Sequence, residues 1–99
     1  MKDQHTLIKG YRNLSQEEID LMNEIKGIGS EMEVLIGKIE KHVEEQYGAA
    51  VLMNDEKDRD AELTRLNDSQ CYDWIRLSTS NLKTGLMQLT RAVAQPTSF

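Results

Sequence analysis

The sequence predicts an all-α protein: an antiparallel helical hairpin behind a short N-terminal segment, assembling into a compact homo-oligomer. Three observations carry that prediction. A reciprocal capping signal opens a helix at Ser15, and two long stretches carry apolar residues in alternating four-three spacing. A lone proline, Pro96, stands just past the second stretch. With 99 residues there is room for one domain, which spans 1–99. Only 38% of residues are hydrophobic and 5% aromatic, against 29% charged. That composition fills a thin seam between helices rather than a thick core.

Residues 1–14 form the N-terminal segment. In Leu14-Ser15-Gln16-Glu17-Glu18-Ile19, Ser15 stands at the N-cap and Glu18 three residues on, the pattern of a capping box. Leu14 and Ile19 are spaced for a hydrophobic staple, and the acids of the first turn complement the positive end of the helix. The first long helix is expected over 15–47. Its seam reads Leu21, Ile25, Ile28, Met32, Leu35 and Ile39, with Met22, Gly29, Ile36 and Val43 as an adjacent row. Gly27, Gly29 and Gly37 interrupt it, each costing about 1 kcal/mol of helix propensity relative to alanine. They fit a close approach by another backbone or a kink near 27–29, and Gly48 reads as the stop.

Residues 48–69 read as a connection, with Asn54-Asp55 able to cap a short charged helix over 56–66. Asn67-Asp68-Ser69 offers a cap for the last helix, expected over 70–94 and ended by Pro96. The seam of that helix reads Cys71, Ile75, Ser78, Leu82, Gly85 and Leu89, flanked by Trp74, Leu86, Met87 and Val93. Small Ser78 and Gly85 suit tight helix packing. The two long helices match as antiparallel partners, but their apolar rows are wider than one partner covers, so self-association is expected.

No stretch approaches the ~20 apolar residues of a membrane span, and the start has no apolar core of a signal peptide. One cysteine, Cys71, excludes an internal disulfide and fits a reducing compartment. A net charge of −5 argues against non-specific DNA or RNA binding. The charge is uneven. Residues 1–14 carry Lys2, Lys9 and Arg12 against Asp3, and residues 74–99 carry Arg76, Lys83 and Arg91 with no acid. The other sixteen acids lie in 15–73. A hairpin brings its two ends together, so two basic ends meet beside an acidic body, a seat for an anionic ligand. A basic residue near a helix C-terminus, such as Arg91, also simply complements the helix dipole.

The search for catalytic chemistry comes back nearly empty. His5 and His42 are isolated, Cys71 has no histidine near it in sequence, and no phosphate-cradling glycine loop or nucleophile motif occurs. No cofactor or metal site is expected. Two residues stand out. Lys26 follows the Ile25 seam position and precedes the glycines; it reads as a snorkelling seam-edge lysine or as a phosphate contact. Tyr11, in Gly10-Tyr11-Arg12-Asn13, either packs over the first helical turn or stacks on a nucleobase beside cationic groups.

The run Tyr11-Arg12-Asn13-Leu14-Ser15-Gln16-Glu17-Glu18-Ile19-Asp20-Leu21-Met22-Asn23-Glu24-Ile25-Lys26, with the ending Arg91-Ala92-Val93-Ala94-Gln95-Pro96, resembles the phage-encoded anti-CBASS cyclic-nucleotide sponges. The stretch 48–70 shows no obvious match. The resemblance implies a helical hairpin domain in a compact homohexamer, acting in the cytoplasm of the infected bacterial host. It implies binding of cyclic oligonucleotide messengers such as 3′,3′-cGAMP, without cleavage, in pockets between protomers. There Tyr11 would stack on a base and Lys26 would meet a phosphate. It further implies a separate cyclic-trinucleotide site near the three-fold axis. The family's Arg-Thr-His element in the last helix is replaced here by Thr79-Ser80-Asn81, which removes a cation; Arg76 or Arg91 would supply charge instead. The alternative from another class is a helical interaction module, adaptor- or antitoxin-like, with no nucleotide ligand. That alternative explains the seams but not Tyr11, Lys26 or the basic ends. A phosphodiesterase acting on the same messengers fits worst, having neither metal site nor histidine pair.

Overall fold

The computed structural model describes residues 13–97. They form three α-helices: α1 Gln16–Val51, α2 Glu56–Ser69 and α3 Cys71–Ala94, with no strand among the described residues. The long helices α1 and α3 make the antiparallel hairpin, and α2 joins them.

α1 opens as the capping box requires. The Ser15 N–H donates to Glu18 Oε1 at 2.8 Å, and the Glu18 N–H donates to Ser15 Oγ at 3.2 Å. From there the helix runs 36 residues. The helix runs without interruption through Gly27 and Gly29. Single glycines cost less than the flanking turns of a long cooperative helix supply. Nor does Gly48 stop it at 47. Ala49 and Ala50 continue the helix to Val51, and Ala50, only 1% exposed, anchors that last turn. It then tightens, with Leu52 N–H donating to Ala49 O at 3.3 Å and Met53 N–H to Ala50 O at 3.2 Å.

The segment 48–69 is therefore mostly helix rather than connection. Asp55 caps α2 as expected, its carboxylate accepting from the Asp58 N–H at 2.9 Å. The helix extends past residue 66 because Leu66 is buried and holds its final turn in place. Asn67-Asp68-Ser69 consequently closes α2 instead of capping α3. Gln70 alone joins the two helices, in the left-handed region at φ 55°. Its N–H donates to Asn67 O at 3.1 Å, and its carbonyl accepts from Trp74 N–H at 3.0 Å. At the far end α3 stops at Ala94, with Gln95 at φ 52° ahead of Pro96.

The chain divides into two compact units. Among the described residues the first takes 13–31 and 82–97, the second 32–81. In the first unit α1 meets α3 closely at Gly29, where an added Cβ would lie 3.3 Å from Leu86 Cδ1. Ala94 is buried there, with Met22, Ile25, Leu86, Thr90 and Val93 half-buried. In the second unit Val43, Ala50 and Leu66 are buried, with Met32, Ile36, Tyr47, Cys71, Ile75 and Thr79 half-buried.

These positions shift the seam by one row. On α1 the inward row is Met22, Gly29, Ile36, Val43 and Ala50, together with Ile25 and Met32. The row expected inside, Leu21, Ile28 and Leu35, is exposed at 42%, 47% and 56%. Ile39, also expected inside, is exposed. Both rows repeat every seven residues, so spacing alone does not choose between them. Gly29 favours its own row by letting Leu86 come close. On α3, Thr79 and Thr90 turn inward while Ser78 and Leu89 face out. The inward hydroxyls are satisfied locally, Thr79 Oγ1 donating to Ile75 O at 2.7 Å and Thr90 Oγ1 to Leu86 O at 3.0 Å. Gly85, read as a packing contact, has open space around it.

Candidate ligand-binding site

Lys26 lies on α1 in the first unit, exposed, one residue beyond half-buried Ile25. Its carbonyl accepts from Ser30 Oγ at 3.3 Å. A Cβ built on the next residue, Gly27, meets nothing within 4 Å, so a ligand has room to reach the backbone there. Lys26 makes no ion pair with any described residue, leaving its ammonium open to an anion. The Gly29–Leu86 contact fixes the antiparallel register in this unit. Arg91, on α3, belongs to the same unit as Lys26.

Arg91 is exposed in the last turn of α3, where its charge complements the helix dipole. Arg76 belongs to the second unit. It is exposed and lies 3.7 Å from Asp73 Oδ1, a weak surface pair. The structure thus gathers Lys26 and Arg91 into one unit and not Arg76. Tyr11 lies outside the described residues. In the Thr79-Ser80-Asn81 element, Thr79 is committed to the Ile75 carbonyl and Ser80 is exposed.

Two features went unread in the sequence, both in the second unit. One is an apolar groove of about 410 Å³ lined by Ile36, Ile39, Trp74, Leu77, Ser78 and Asn81. Its ring, Trp74, is 61% exposed. Positions 74, 77, 78 and 81 share a helical face, a signal available in the sequence. The other is a polar cluster. Tyr47 donates its hydroxyl to Asn67 Oδ1 at 2.8 Å and stacks on Tyr72, the ring centroids 5.6 Å apart. The residues involved are about 20 and 25 apart in sequence, so no local pattern announces them.

Among the described residues, no group of three or more His, Cys, Asp or Glu is arranged to hold a metal ion. No described helix is long and apolar enough to cross a membrane.

No protein-family model matches the chain. Anti-CBASS protein 2 of Pseudomonas phage JBD67 is 33% identical to it over 105 aligned residues, covering 97% of each protein. The chain belongs to the anti-CBASS protein 2 family. The similarity reaches almost from end to end, so it takes in α2 as well as both long helices. The stretch 48–70, where the motif faded, therefore lies inside the aligned span.

Proposed function

We propose that this anti-CBASS family chain sequesters cyclic-nucleotide second messengers without cleaving them and so blocks CBASS antiphage immunity. Its ligands are cyclic dinucleotides such as 3′,3′-cGAMP and, at a separate site, cyclic trinucleotides. It acts in the cytoplasm of the infected bacterial host. The observation that carries the reading is the near end-to-end similarity to a phage protein named for anti-CBASS action. The exposed cation Lys26, with open backbone beside it, supports an anionic ligand.

Sequestration works by mass action. The free fraction of ligand falls as sites outnumber the dissociation constant, so a hundredfold excess leaves about 1% free. Such a protein needs tight binding and high copy number, and no catalytic group. In this reading Tyr11 stacks on a base and Lys26 meets a phosphate. Arg91 adds charge from the same unit as Lys26, whereas Arg76 is partly occupied by Asp73. The protomers assemble as a homohexamer that covers the outward apolar rows, and the dinucleotide pockets lie between protomers.

Calorimetric titration with 3′,3′-cGAMP and with cyclic trinucleotides tests the proposal. Saturable heat of binding at a fixed ratio of sites to protomers is the expected result. No heat with any cyclic di- or trinucleotide overturns it. The groove beside Trp74 would then favour the other reading, a helical module that binds protein through its apolar face.

A further inference from the structure

We propose that α2 is a latched strap: it undocks from the second unit while α1 and α3 stay paired, and Tyr47 is the latch. The sequence of α2 is dominated by charge, and Leu66 is its single buried residue. Most of the contacts that make it a helix are internal. Asp55 caps it, and Arg65 forks onto Glu62 at 2.6 and 3.0 Å, which holds the Glu62 carboxyl below its ordinary value. Near the start of α2, Arg59 Nη1 donates to Met53 O at 3.4 Å, and the side-chain hydrogen bond that ties it to α1 lies at the C-terminal end. There Leu66 is buried and Asn67 accepts from the Tyr47 hydroxyl. Local opening of this kind is expected where few apolar contacts hold a segment.

The latch stays behind when the strap leaves, because Tyr47 stands on α1 and stacks on Tyr72 of α3. The phenol's pKa is raised by partial burial, then by Cys71 and Tyr72, so it remains a hydrogen-bond donor. Pivots flank the strap: residues 52–55 before it, and the single left-handed Gln70 after it. Away from α2, residues of α1 and α3 come together on their own. Ile36 and Ile39 share a groove with Trp74, Ile75 and Ser78, and no α2 residue lines it.

Hydrogen exchange of the full chain, read by mass spectrometry on Tyr47→Phe and Asn67→Ala, tests the latch. Amides of 56–69 should exchange while 32–47 and 71–81 remain protected. Either substitution should speed exchange in α2 about fivefold, the effect of losing one ordinary hydrogen bond, and leave the other two segments unchanged. The double variant should add nothing to the singles. Exchange of α2 in step with α1 and α3 overturns the proposal. So does a Tyr47→Phe variant that accelerates all three segments alike.

Discussion

At the scale of single residues, Lys26 and Arg91 stand on different helices of one unit, both exposed. An exposed cation adds little to stability, so its removal separates binding from folding. Lys26→Ala should weaken 3′,3′-cGAMP binding tenfold or more, the usual loss of a hydrogen bond to a charged group at about 1.5–3 kcal/mol. Tyr11→Ala should do the same through lost stacking, at about 1–3 kcal/mol. Size-exclusion chromatography should show both variants assembled as the parent. If both bind normally, the pocket assigned to them is wrong even though the family holds. Arg76→Ala should change affinity less than Arg91→Ala, since Asp73 already shares its charge.

At the scale of the helix, the glycines of α1 differ in what surrounds them. Gly27 has open space, whereas an added methyl at Gly29 presses on Leu86 at 3.3 Å. Gly27→Ala should therefore raise stability by up to about 1 kcal/mol in urea denaturation. Gly29→Ala should gain less or lose, because Leu86 has to give way. Equal gains at the two positions would mean that the close approach at Gly29 is not real. This contrast also shows how far the sequence could be read. The cap at Ser15, the cap at Asp55 and the stop before Pro96 were legible because each depends on residues within four positions. The choice of inward row was not, because it depends on which glycine meets a side chain from the opposite helix. The end of α1 and the extent of α2 were missed for the same reason: buried Ala50 and Leu66 set them. Within the candidate site, Arg91 was legible as a cation of the basic C-terminal stretch and Lys26 as a seam-edge lysine ahead of the glycines. The Trp74 groove needed a face from α1 and another from α3.

For the whole molecule the decisive fact is how little of it is buried. Val43, Ala50, Leu66 and Ala94 are the buried hydrophobic residues among those described, while fourteen large hydrophobic side chains are exposed. Burial of a leucine or isoleucine contributes about 1.5–3 kcal/mol, so a chain in this state gains strongly from association. Trp74 is the single tryptophan, and it faces the groove from an exposed position. Its emission should move to shorter wavelength as protein concentration rises through assembly, and Trp74→Ala should shift assembly to higher concentration. Emission that stays water-like in an assembled sample would exclude the groove from the protomer interface.

Sequestration without cleavage is the central claim, and the fate of the bound nucleotide tests it most directly. The protein is loaded with 3′,3′-cGAMP, freed of excess ligand, heat-denatured, and the released nucleotide is separated by chromatography. The account predicts intact 3′,3′-cGAMP in a fixed ratio to protomers, unchanged after prolonged incubation. Linear or hydrolysed products, or no retained nucleotide at all, would contradict it.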